Sequence, residues 1–215
     1  MNFVALNYSI VVLAETHNPT ILHPAFLAAR GIVPVDWKTA EPPVCTPAIS
    51  SVKYDIGVVF TAELSKFMVR DNAPKENTSL PELATKYVEE LPHVHYTAVG
   101  INFTGYIECP NAETWAIDRF LRSGPGNDEK MKPTTVGLKL VYPGDPGVLN
   151  LGCDPGTIQK GGEQVAIPSL IINGNYHMPI APERCLEETR NAIGLFSRRL
   201  AHFAQITETV FGLTK

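Results

Sequence analysis

Apolar side chains recur at every second position near the start of the chain, at Val4, Leu6, Tyr8, Ile10 and Val12. A period of two is that of a pleated strand, so a strand with one buried face is predicted over about residues 3–14. Asn18-Pro19 interrupts it, and His23 to Arg30 can form a short helix that stops at Gly31. Pro34, Pro42, Pro43 and Pro47 then predict an extended connection without regular hydrogen bonds, pinned to the core by Trp37. Strands are expected over about 49–62, bent or divided near Gly57, and 66–71. Ser79 with Glu82 three residues on reads as a capping box opening a helix over 80–91. Leu83, Tyr87 and Leu91 share one face of that helix, and Pro92 ends it.

A second series of elements follows. A strand is predicted over 96–108, then a helix from the N-cap Asn111 to Leu121, with Ala116, Ile117, Phe120 and Leu121 facing inward. Ser123 to Pro133 reads as a polar loop. Strands follow at 134–142 and 148–153, the latter ending in the turn residues Asp154-Pro155-Gly156. Residues 165–180 predict a strand or broken hairpin, with Asn173-Gly174 as a tight turn or bulge. Over about 183–211, Leu186, Thr189, Ile193, Phe196, Leu200, Phe203, Thr207 and Val210 recur at steps of three and four. That spacing predicts one long helix with a buried stripe, covering the protein's own sheet or zipping to a second copy.

The two series echo each other in residues as well as in order. Val4-Ala5-Leu6-Asn7-Tyr8-Ser9 returns 95 positions later as Val99-Gly100-Ile101-Asn102-Phe103-Thr104. Each half reads strand, helix, three strands, helix. The expected fold is α+β: a single domain over 1–215 with pseudo-repeat halves of about 1–92 and 93–215. It would hold a mostly antiparallel sheet of about eight strands, helices on one face and a long C-terminal helix. In outline this layout resembles TATA-binding-protein-like folds, by analogy of arrangement alone.

Composition narrows the classes. The chain has 215 residues, 44% hydrophobic and 19% charged, enough for a full core and far from the composition of a disordered chain. A net charge of −4 argues against a general nucleic-acid binder. No apolar run reaches the length of a membrane span. Four separated cysteines without a Cys-x-x-Cys, and no secretory leader, point to a reducing cytoplasmic compartment and to free, buried thiols.

Candidate chemistry is sparse. Asn7 and Asn102 each interrupt an apolar strand, with Ser9 and Thr104 on the same side by alternation. Two readings stand: a polar quartet that grips a ligand, or buried amides that satisfy one another or a water. His93 and His95 share a face if their segment is extended, with His177 or a carboxylate as further ligand, yet two imidazoles do not make a metal site and none is assigned. Gly156 to Gly162 lacks the Gly-Lys-Ser/Thr ending of a phosphate loop and reads as a hairpin loop. Cys109 and Cys185 have no identifiable base beside them. Arg190, Arg198 and Arg199 alternate with acids and read as a solvated helix face. No cofactor is called for.

The stretch Tyr96-Thr-Ala-Val-Gly-Ile-Asn-Phe-Thr-Gly-Tyr106, preceded by Leu91-Pro92-His93, resembles a sporadically distributed family of bacterial α+β proteins. The closing His202-Phe203-Ala-Gln-Ile-Thr207-Glu208 is similar to how such chains end. The resemblance implies an α+β fold and carries no activity and no functional residue. The leading expectation is a soluble, non-enzymatic binding or interaction protein with a protein partner or a second copy of itself. The alternatives are a small-molecule-binding or enzymatic domain with a pocket between sheet and C-terminal helix, using Asn7, Asn102, His95 and His177, and a saddle-like nucleic-acid binder.

Overall fold

The opening alternation is realised over the later part of β1, Phe3–Ala14, with Ile10 and Val12 fully buried. A register shift between Ala5 and Asn7 breaks it, so Phe3 meets Phe203 of the helix side while Val4 is exposed. The computed structural model describes residues 2–75, 77–121, 133–159 and 166–212. After β1 come α1 (Pro24–Ala29), β2 (Val44–Cys45), β3 (Ile49–Lys53), β4 (Val58–Glu63), β5 (Lys66–Asp71) and α2 (Leu80–Glu90). Then follow β6 (Tyr96–Glu108), α3 (Ala112–Phe120), β7 (Leu138–Pro143), β8 (Val148–Gln159), β9 (Ala166–Pro179), α4 (Cys185–Gly194) and α5 (Phe196–Phe211).

Among the described residues, nine strands form one antiparallel sheet in the order β2-β3-β4-β5-β1-β6-β9-β8-β7. The strand beyond the expected eight is β2, a two-residue pairing within the proline-rich connection. The two asparagine-bearing strands, β1 and β6, are neighbours at the middle, with Tyr8 opposite Phe103. Both outer strands resist pairing with another chain: β2 is short and lies between prolines, and β7 carries Lys139 and ends at Pro143.

The helices cover one face of this sheet. Phe103 contacts Tyr8, Phe196 and Phe203, with ring centroids 5.2, 5.4 and 5.2 Å away. Each such pair contributes about 0.5–1.5 kcal/mol beyond its buried area. Phe67 of β5 stacks on Tyr87 of α2 at 3.6 Å, so α2 lies on the same face. Trp37 packs edge-on against Tyr54 at 5.1 Å and pins the proline-rich connection as expected. All eight positions of the C-terminal stripe are buried or half-buried.

Several local expectations give way to tertiary structure. Ser79 makes no side-chain cap; Thr78 Oγ1 accepts from the Leu80 amide at 3.4 Å, and Glu82 pairs with Lys86. Asn111 likewise makes no side-chain cap. Phe120 and Leu121 are exposed rather than inward, because α3 turns only Ala112, Ala116 and Ile117 to the core. The C-terminal helix is two helices meeting at Leu195, just after Gly194, a residue with poor helix propensity. Gly212, at φ 64°, closes α5 in the left-handed region that glycine enters without strain. β8 runs straight through Asp154-Pro155-Gly156; beyond Cys153 it pairs, among the described residues, only with β9, and a strand paired on one edge tolerates proline. The loop expected at 123–133 falls almost wholly outside the described residues, as does the end of the glycine-rich segment, 160–165.

Asn173-Gly174 is not a turn. β9 is paired along its length with β6 and with β8, and Gly174 sits opposite Phe103 and Leu151. A Cβ there would lie 2.5 Å from the ring of Phe203, so glycine is what lets α5 approach the sheet. Gly174→Ala is therefore expected to cost about 1–3 kcal/mol through overpacking, read as a lower urea midpoint. Combining it with Phe203→Leu should recover part of that loss; simply additive losses would refute the contact.

Candidate functional site

Because side chains alternate across a strand, packing Phe103, Gly174 and Tyr176 under α5 turns their neighbours Asn102, Thr104, Asn173, Asn175 and His177 to the opposite face. No described helix packs against that side of the central strands. Pairing then lines residues up in rows across the sheet. One row runs Arg70, Ser9, Asn102, Asn175, Asn150 over β5, β1, β6, β9 and β8. The next runs Asn7, Thr104, Asn173, Gly152.

In the first row the side chains are bonded to one another. Asn150 Nδ2 donates to Asn175 Oδ1 at 3.5 Å, Asn175 Nδ2 to Asn102 Oδ1 at 2.5 Å, and Asn102 Nδ2 to Ser9 Oγ at 3.2 Å. Every donor points the same way, toward Ser9. Ser9 is 6% exposed while the three amides are half-buried, so the row rises from the sheet floor. Each bonded amide retains an unused N–H and lone pair, and Ser9, an acceptor here, retains its proton.

Asn7 and Asn102 are not bonded to each other. Each faces a hydroxyl residue on the neighbouring strand, Asn7 opposite Thr104 and Asn102 opposite Ser9. Of the residues singled out from sequence, Asn7, Ser9, Asn102, Thr104 and His177 share the open face, His177 lying opposite Gly100 and Val148. Sequence reasoning missed Arg70, Asn150 and Asn175. Asn173 and Asn175 do alternate along β9, but the Asn-Gly pair between them reads as a turn until both flanking strands are known.

His95 stands apart. It is exposed and lines a cavity of about 330 Å³ with His17 and His93. His177 is not near them, and among the described residues no group of three or more His, Cys, Asp or Glu is placed to hold a metal ion. His17 is 2% exposed, its ring 6.2 Å from that of Tyr96. Burial holds its imidazole below the ordinary value of 6.5; the Val12 carbonyl pulls the other way, but less, and neither ring nitrogen makes a hydrogen bond.

The helix side offers different chemistry. A cavity of about 960 Å³ opens between α3, β7 and α5, lined by Trp115, Arg119, Leu140, Tyr142 and Val210 among others. None of Asn7, Asn102, His95 or His177 reaches it, so the expected pocket between sheet and C-terminal helix is not built from those groups. Arg199 is not on a solvated face: it is 5% exposed, lies over the Tyr176 ring at 5.1 Å and donates to the Pro146 carbonyl at 2.7 Å. Arg190 reaches Glu89 of α2 at 2.9 Å. The four cysteines are free; Cys109 and Cys153 are buried, but Cys45 is exposed and Cys185 half-buried, contrary to expectation. Burial, with Asp154 and Cys109 adding to it, pushes the Cys153 thiol up to about 12 and keeps it protonated and inert.

Comparison with protein-family models and with curated proteins finds no match for this chain. No described helix is long and apolar enough to cross a membrane.

Two expectations follow from this geometry. Asn102→Ala strips a donor from Ser9 and an acceptor from Asn175, and should cost about 1–2 kcal/mol in chemical denaturation. Asn7→Ala breaks no such bond and should cost under about 0.5 kcal/mol; equal losses would mean the row is not a bonded unit. His17 carries a pH signature. Its folded-state pKa lies below the unfolded value of 6.5, so the unfolded chain binds its proton first. Stability should be full above that value, start to fall as pH drops through 6.5, and stop falling below the folded-state value. Urea midpoints from pH 8 to pH 5 in the native chain and in His17→Leu check this; equal slopes would count against it.

Proposed function

We propose that the chain is a non-catalytic binding protein whose recognition surface is the helix-free face of the sheet, centred on β1, β6 and β9. The observation that carries this reading is the bonded row Asn150–Asn175–Asn102–Ser9. Amides and hydroxyls do not exchange protons near neutrality, so the row is suited to recognition rather than proton transfer. Their mutual bonds hold them in place before a ligand arrives, which lowers the ordering cost of binding. Their unused donors and acceptors face outward.

The reading includes an internal duplication, with halves of about 1–92 and 93–215. It is supported by the pairing itself: exchanging Asn7 with Asn102 and Ser9 with Thr104 maps each pair of facing residues onto the other. It is also supported by the strand order, where β5, β4 and β3 follow β1 outward as β9, β8 and β7 follow β6. A ligand on the open face would then lie across the junction of the halves. The resemblance to the bacterial family is part of the proposal and adds no activity to it, and the proposed compartment is the cytoplasm.

Amide-detected NMR with cocktails of small polar fragments tests the assignment. Shifts should cluster on the side-chain amides of Asn102, Asn150 and Asn175. Clustering at Trp115 and Arg119, or no response along the row, would overturn it; the first outcome would favour the helix-side cavity.

A further inference from the structure

Arg70 begins the amide row, directly opposite Ser9 on β1 and Val59 on β4. It is half-buried, and its Nε is shut off from solvent without a hydrogen-bond partner. No described residue bonds or ion-pairs with its guanidinium. An arginine held among strands ordinarily has a carboxylate or a set of carbonyls around it, because a desolvated, unpaired cation is costly.

Among the described residues, those around it hold no such partner. Same-face positions next to Arg70 are Ser9 and Val59 directly, Asn7 and Val11 diagonally on β1, and Thr61 and Met68 beyond. None is acidic. Of the described acids nearest in sequence, both are already engaged: Glu63 pairs with Lys66 at 2.8 Å. Asp71 points to the other face, where its carboxylate accepts from the Ala73 amide and the Thr78 hydroxyl, each at 2.9 Å. Toward β1 and β6 the row offers Arg70 hydroxyl and amide groups and no carboxylate. Ser9 keeps a free O–H because its oxygen already accepts from Asn102, and Asn102 keeps a second N–H.

We infer that Arg70, Ser9 and Asn102 form a site for an oxyanion, a carboxylate or phosphate group, with Arg70 supplying the charge. A planar guanidinium beside a hydroxyl and an amide matches the several oxygens of such a group, and a charge-assisted bond there is about twice as strong as a neutral one. The inference rests on the open face being the binding surface and adds the chemical class of what binds.

The test is an NMR titration of the full chain with inorganic phosphate and, separately, with acetate, at ionic strength held constant with chloride. Expected are saturable shifts of the Arg70 Nε–H and the Asn102 side-chain amide. Arg70→Met should weaken binding at least about tenfold and Ser9→Ala several-fold, by loss of one charged and one neutral bond, while Lys86→Gln on α2 leaves it unchanged. A stronger response to phosphate than to acetate, or the reverse, identifies the group. Shifts that do not saturate, or that survive Arg70→Met, overturn the site. If the oxyanions fail while neutral fragments still shift Asn102 and Asn175, the oxyanion site alone falls; if neither acts on the row, the binding face falls with it.

Discussion

The open face depends on one register, that of β1 against β6, in which Tyr8 meets Phe103 and Ser9 meets Asn102. The pleat gives each strand two faces, and a slip of one residue would exchange them entirely. Either Ser9 would then enter the apolar layer under α5, or Asn102 would enter it and Phe103 would leave its cluster of rings for water. The cost of either change pins the register. Aromatic packing on one side therefore positions the hydrogen-bonding groups on the other.

The helix side explains why the sheet can be read as a platform. Gly174 lets Phe203 lie against β9, and Phe103 joins Tyr8, Phe196 and Phe203 into one contact. Those contacts join strands from early and late in the chain, and a single apolar cluster draws on both parts. Buried Arg199, stacked on Tyr176 and bonded to Pro146, ties α5 to the loop before β8. A sheet braced in this way from behind holds its front side chains at fixed spacing, as a pre-formed recognition surface requires.

The front is chemically uneven. Its central rows are amides and hydroxyls, and Arg70 stands at one end with no described acid beside it. Several cations elsewhere are matched: Lys53 meets Glu41 at 2.9 Å, Lys66 meets Glu63, and Arg190 meets Glu89. A net charge of −4 makes one uncompensated guanidinium on the open face more conspicuous. The asymmetry gives the row a direction, running from neutral donors toward a positive end.

Much of the architecture was legible in the sequence, because period-two and period-3.6 patterns are local. The strand at 3–14, the strand at 96–108, the helix at 80–91 and the buried stripe ending at Val210 follow from them. So did the sharing of one side of a strand by Asn7 and Ser9, and of another by Asn102 and Thr104, since alternation needs no knowledge of partners. What alternation cannot say is which strand lies beside which. Asn173-Gly174 became strand rather than turn only because β6 and β8 flank it, and Pro155 was admitted because β8, among the described residues, is paired there on one edge. Arg70, Asn150 and Asn175 have no local signature; they joined Ser9 and Asn102 through pairings between residues tens of positions apart. The sequence by itself determined which side chains share one side of a strand, because that is a property of each strand alone. Tertiary structure alone decided which of them meet in a row, because lateral hydrogen bonding between distant segments sets the order and register of the sheet.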